Sequence, residues 1–185
     1  MLQRLSEISG LLGFIPLKQV LESFELGQLS EERQIKVVTA SIEMPSYEDY
    51  VREFGSWAAA LALAGVLDND AMVTERGTRC VALDGHACGS IAEKSIDDWF
   101  HIHGIPHERE PTYPPDPVLN PNGRMRADWK VDGALIEYAG MMQEPEYRLK
   151  MDIKQQLSEK LSIPLIVLLP NDLANLDMRL RQFLR

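Results

Sequence analysis

Two carboxylates open the chemical argument. In RMRADWKVDGALIEYAG (residues 124–140), strand-type residues flank Asp132-Gly133, the dipeptide that most strongly marks a tight β-hairpin. A two-residue turn sets Asp128 directly opposite Glu137. Cross-strand partners have Cβ atoms about 4.5–5.5 Å apart. Two carboxylates that close repel each other unless a cation lies between them, and carboxylate oxygens on one face are what Mg²⁺ or Mn²⁺ takes as ligands. Alternation along the strands puts Trp129, Val131, Ile136 and Tyr138 on the opposite, apolar face. The other face carries Arg126, Asp128, Lys130 and Glu137, and without further context it reads as a solvated cluster of charges.

Other residues could join them. Lys150 and Lys154 are four apart, so they share one side of a helix. Lys130 and Arg126 carry cations on the hairpin face that bears the carboxylates. Arg126 is expected opposite Ala139. Ser90 and Glu93 fit a capping box, which gives Glu93 a structural role as well as a chemical one. His86 lies in CVALDGHAC, between Cys80 and Cys88. It could act as a general base or hold a metal-bound water. A zinc site would combine these three residues with His101, His103 or His107, but the spacing matches no zinc motif. Two buried thiols beside a turn are the simpler expectation for the cysteines.

The elements that must hold these groups are legible in order. Residues 1–67 read as short helices: Leu2, Leu5, Ile8, Leu11 and Leu12 recur at helical spacing. A second helix runs through LKQVLESFEL to Gly27, and a third from Ser30 to Ile42. Ser46 caps SYEDYVREF, and Ser56 caps WAAALALAG. Residues 68–90 form a turn-rich joint with a strand over 78–83, and the domain boundary is expected near residue 70, between 1–70 and 71–185. After it come a helix over 90–104, a proline-broken strand, the hairpin, and a long helix opened by Pro145. The apolar run PLIVLL then suggests a strand covered on both sides, and Asn171 caps a last helix. A helix between the hairpin and PLIVLL implies a right-handed crossover to a parallel strand. The expected class is α/β (α+β), a helical module followed by a mixed sheet flanked by helices.

Composition limits the function classes. The chain has 185 residues and a formal net charge of −9, which counts against nucleic acid as an obvious partner. Basic residues still cluster late, at Arg124, Arg126 and Lys130 and beyond, so a local basic groove with salt-sensitive DNA affinity fits. No apolar run reaches about 18 residues, so no membrane span is expected. The amphipathic start lacks a signal peptide's apolar core, and a cytoplasmic location is the expectation.

Two stretches resemble known families. Pro45, Tyr47, Tyr50, Phe54-Gly55-Ser56-Trp57, Ala60-Leu61 and Ala64-Gly65 resemble the homing-endonuclease-associated repeat, over about residues 34–67. The resemblance implies a helical DNA-binding module with Trp57 among its contacts. Glu48, Asp49 and Glu53 depart from a DNA-reading charge pattern, and a helical protein–protein module is the alternative. Residues 90–175 resemble the PD-(D/E)XK nuclease superfamily, and more narrowly the very-short-patch-repair and homing endonucleases. Glu93 matches the family's helix Glu, Asp128 its first hairpin acid, Glu137 its second, and Tyr147, Lys150 and Lys154 the following helix. The family's usual lysine position is Ala139 here, and the resemblance implies that the charge comes from that helix instead.

The implied function is a Mg²⁺- or Mn²⁺-dependent DNA endonuclease. Asp128 and Glu137, with Glu93 and backbone carbonyls near Ala139, would bind the metal. Lys150 and Lys154 would support hydrolysis, with His86 as a further candidate. Arg124, Arg126, Lys130 and Trp57 would contact DNA, and two-strand cutting implies a homodimer. A nuclease-fold module that binds DNA or protein without cutting is the main alternative, and an enzyme acting on structured RNA a third.

Overall fold

The structure, a computed structural model, describes residues 1–18, 29–67, 72–74 and 77–184. The helix expected over LKQVLESFEL and the boundary expected near residue 70 lie outside the described residues. The chain divides into two compact units, Met1–Trp99 with Asn171–Leu176, and Phe100–Pro170 with Asp177–Arg185. Among the described residues no helix is long and apolar enough to cross a membrane.

The first unit begins with helices whose apolar spacing meets expectation. Helix α1 (Leu2–Leu12) buries Leu5, Ile8 and Leu12 and ends at Gly13 in the left-handed region. Helix α2 (Glu31–Ser41) adds Val37 and Ala40 to a core with Ile8, Leu12 and Leu29. A reciprocal capping box opens α3 (Tyr47–Phe54): Asp49 N donates to Ser46 Oγ at 3.2 Å, and Ser46 N to Asp49 Oδ2 at 3.1 Å. Gly55 ends α3 at a φ of 82°, and Ser56 Oγ accepts from Ala59 N at 3.0 Å to open α4 (Trp57–Leu63). Trp57, expected among the DNA contacts, is instead a core residue, 7% exposed. Its ring lies 5.3 Å from both Tyr47 and Tyr50, and its indole N–H donates to Pro16 O at 3.0 Å. A buried indole with its one donor satisfied has no face to offer a base.

The expected turn-rich joint carries more structure than its sequence suggested. Strands β1 (Met72–Thr74), β2 (Gly77–Val81) and β3 (Ala87–Cys88) form an antiparallel sheet in that order. Helix α5 (Ile91–Ile102) follows, with Ile91, Ile96 and Phe100 buried.

The second unit holds a mixed four-stranded sheet, ordered β4 (Glu108–Arg109), β5 (Trp129–Val131), β6 (Ala134–Tyr138), β7 (Leu165–Leu168). The β5–β6 hairpin has the expected register, with Trp129 against Ile136, Lys130 against Leu135 and Val131 against Ala134. Its two turn residues, Asp132 and Gly133, have φ of 46° and 84°, both positive, as a type I′ turn requires. Helix α6 (Pro145–Leu161) then crosses over to β7, which runs parallel to β6. On one face Trp129 packs against the Phe100 ring, 6.0 Å between centroids. On the other, Leu135 meets Leu157 of α6, Tyr113 and Ala127.

Three expectations need correction here. The face read as a solvated cluster is not solvated at Glu137, because α6 lies over it and leaves Glu137 1% exposed. Strand β7 sits at the sheet's edge, with only Leu168 of its four residues fully buried, so an unbroken apolar run did not mean two-sided cover. The last helix is broken into a 3₁₀ turn (Pro170–Asn175), a short α7 (Leu176–Arg179) and a second 3₁₀ turn (Arg181–Phe183).

The hairpin turn gives a direct test. A Cβ at Gly133 would meet no atom within 4 Å, so the cost of a side chain there is purely conformational. Gly133→Val should lower stability in urea unfolding by about 1–2 kcal/mol, the penalty for a β-branched residue at positive φ. A loss within experimental error would count against the type I′ geometry.

Candidate active site

Glu137 is the centre of the site. It lies on β6 two residues after Leu135, so both side chains enter the space under α6. Its Oε1 accepts from the Tyr113 hydroxyl at 2.9 Å, and its Oε2 from Lys154 Nζ at 2.7 Å. Asp128 comes just before β5, and its Oδ2 accepts from Tyr138 N at 2.7 Å. That bond draws the first carboxylate onto the strand that carries the second. Burial, and then the charge of Asp128, push the Glu137 carboxyl up to about 7, against the opposing pull of Lys154 and Tyr113. A buried acid raised by a neighbouring acid is the electrostatic signature of two carboxylates sharing too little positive charge.

The supporting parts are local. Pro145 stands at the first turn of α6, where its missing N–H costs nothing. Tyr147, one turn on, donates its hydroxyl to Tyr138 O at 2.9 Å, fixing α6 to the end of β6. Gly140 is needed between them, since a Cβ there would lie 2.7 Å from the Tyr138 ring. Arg109 of β4 donates to the Asp128 carbonyl at 2.9 Å and stacks over the Trp129 ring at 4.7 Å. Tyr113 is held by its own N–H to Met125 O at 2.8 Å and by Asn120 Nδ2, which donates to its carbonyl at 3.2 Å. The loop that carries Asn120 is pinned by Asp116, which accepts from the backbone of Val118 and Leu119 and pairs with Lys160.

The structure separates the sequence candidates. Lys154 contacts Glu137; Lys150 is exposed. The two share a side of α6, but one helical turn of about 5.4 Å lies between them, and only Lys154 is level with the acid. The β5–β6 ladder ends at Trp129 and Ile136, short of Arg126 and Ala139. Arg126 bridges to Thr112, its guanidinium reaches the Glu110 carbonyl and carboxylate, and Ala139 N bonds Leu168 O. Arg124, Arg126 and Lys130 are all exposed. Tyr113 was missed: a tyrosine among prolines in EPTYPP carries no pattern that points to a site.

Glu93, His86 and the two cysteines belong to the first unit. Glu93 sits at its own helix start: its N–H donates to Ser90 Oγ at 3.1 Å, and its carboxylate accepts from Gly89 N at 3.0 Å and from Ser90 Oγ at 3.1 Å. His86 faces two carboxylates. Its Nδ1 lies 3.1 Å from Asp84 Oδ2 and 3.2 Å from the fully buried Asp97 Oδ1. Asp84, His86 and Asp97 bring one ligand-type atom each within 4.8 Å of one another, a donor set that suits a divalent cation better than the thiols do. Cys80 and Cys88 form no disulfide, are buried and lie directly opposite each other across β2 and β3, and burial pushes the Cys80 thiol up to about 11, away from the thiolate that a zinc ligand needs. Of the remaining histidines, His101 is exposed, His103 lies 3.8 Å from Asp177, and His107 Nδ1 is 2.9 Å from Ile105 O.

The raised Glu137 carboxyl predicts a pH effect of known sign. Between 4.5 and about 7 the folded chain holds this proton more tightly than the unfolded chain. Stability from this group is therefore full below that window and is lost as pH rises through it. Relative to wild type, Glu137→Gln should gain on the order of 2–3 kcal/mol between pH 5 and pH 7.5. A pH-independent difference in urea midpoint would overturn the assignment. No family model matches the chain, and no curated protein or solved structure does so either.

Proposed function

We propose that this chain is a metal-dependent DNA endonuclease that hydrolyses phosphodiester bonds, with its reaction centre at Asp128, Glu137 and Lys154. One observation carries the reading: Glu137 is buried where the charge of Asp128 raises its carboxyl, and an ammonium from the next helix stands 2.7 Å from it. The donor set fits Mg²⁺ or Mn²⁺, which prefer carboxylate oxygens. Asp128 and Glu137 would hold the metal. When bound, the metal acidifies a water and polarises the scissile phosphate.

The chain's own groups supply the rest. Lys154 places positive charge beside the acids, where it can orient a water or stabilise charge developing on phosphate. Its desolvated position makes that charge count for more than it would in water. Exposed Arg124, Arg126 and Lys130 would neutralise backbone phosphates, and the α3–α4 helix pair would bind DNA through its surface rather than through Trp57. The expected setting is the cytoplasm, and a homodimer would provide the two centres that two-strand cutting needs.

A second reading has its own support. The net charge of −9 and Ala139 at the family's lysine position favour a nuclease-fold module that binds DNA or a protein without cutting. Cleavage of plasmid and branched DNA at low salt, with Mg²⁺, Mn²⁺ or EDTA, separates the two. Metal-dependent cutting should fall at least about 100-fold in Asp128→Ala and in Lys154→Met, and stay near wild type in Lys150→Met. Absence of cutting on every substrate, with the metal leaving the melting temperature unmoved, would favour the binding module. Cutting that survives Asp128→Ala would sink the assignment of the centre, and His86→Ala would then test the Asp84–His86–Asp97 group.

A further inference from the structure

The two partners of Glu137 differ in how firmly they are held. Tyr113 is 1% exposed and packs with Ala127, Leu135 and Leu157. Its backbone is bonded on both sides, by its N–H to Met125 and at its carbonyl by Asn120. Its hydroxyl donates to Glu137 Oε1 at 2.9 Å from this packed position. Lys154 is different. Its side chain keeps 18% of its surface exposed, and its ammonium rides on a flexible four-carbon stem. It has somewhere to go.

The charges make an exchange favourable. When both are ionised, Asp128 and Glu137 bring two negative charges together, and Lys154 answers with one positive charge. A divalent cation answers both. It could not share Glu137 Oε2 with an ammonium 2.7 Å away without strong repulsion between like charges. A carboxylate held at one oxygen by a fixed hydroxyl keeps its orientation while the other oxygen changes partner.

We propose that a divalent cation displaces Lys154 from Glu137 Oε2 while Tyr113 stays on Oε1. Lys154 is then a resident counter-ion in the metal-free chain and is released toward substrate when the metal enters. Tyr113 is a positioning residue, acting through Glu137. This inference rests on the nuclease reading and deepens it, because it states how the same centre changes on loading.

The test uses the full chain and Mg²⁺, and its readouts do not depend on cleavage. Lysines are acetylated with an amine-reactive ester and quantified by mass spectrometry, with exposed Lys150 as the internal reference. Lys154 should react slowly without Mg²⁺ and about fivefold faster at saturating Mg²⁺, the factor that one released hydrogen bond accounts for. In calorimetric titrations, Tyr113→Phe should bind Mg²⁺ about fivefold more weakly than wild type, with an unchanged circular dichroism spectrum. Mg²⁺ binding that is lost in Asp128→Ala but leaves Lys154 reactivity unchanged overturns the exchange alone. Equal Mg²⁺ affinity in Tyr113→Phe overturns the positioning role. No Mg²⁺ uptake by wild type, or equal uptake by Asp128→Ala, overturns the centre itself and the exchange with it.

Discussion

The second unit is organised around one costly decision, the burial of an acid. Placing the Glu137 carboxylate under α6 requires partners for both of its oxygens, because an unpaired buried charge costs several kcal/mol. Tyr113 and Lys154 meet that requirement from two different segments. The requirement dictates much else. It fixes the height of α6 over β6, it forces the 111–125 segment back across the hairpin, and it draws Asn120 and Asp116 into a hydrogen-bonded loop whose main effect is to hold Tyr113 still. A hydrophobic residue at position 137 would remove the need for all of this.

Much of this was legible because it is local. Asp132-Gly133 sets a two-residue turn, and the turn sets the register, so the relation of Asp128 to Glu137 follows from chain geometry alone. Capping residues such as Ser46 and Ser56 mark helix starts for an equally local reason, since they satisfy donors within a few residues. Tyr113 was not legible, because its role depends on a contact 24 residues away and nothing in EPTYPP records the partner. Lys154 could not be told from Lys150 by periodicity, since both lie on one side of the helix. What separates them is position along the axis relative to β6, which only the packing defines.

Trp57 and β7 failed for a related reason. A tryptophan at a helix start and an unbroken apolar run both state that burial is wanted, but not by what or from how many sides. Trp57 was claimed by Tyr47, Tyr50 and the Pro16 carbonyl, which are its neighbours only after folding. The Leu165–Leu168 run received one flanking strand. The sequence pattern therefore reports the appetite of a segment for cover and leaves the identity of the cover to topology.

That edge position has a consequence for how the molecule behaves in company. The outer side of an edge strand is a template on which a foreign strand can add by backbone pairing, and proteins guard such edges with charged side chains. Here Arg179 lays its guanidinium on the Val167 carbonyl at 3.1 Å, in the middle of β7. It spends one acceptor that an incoming strand would need and sets a positive charge in its path. The arginine thus acts as a guard against sheet-to-sheet growth, and the apolar run that β7 requires for its inner contacts can be kept without inviting aggregation.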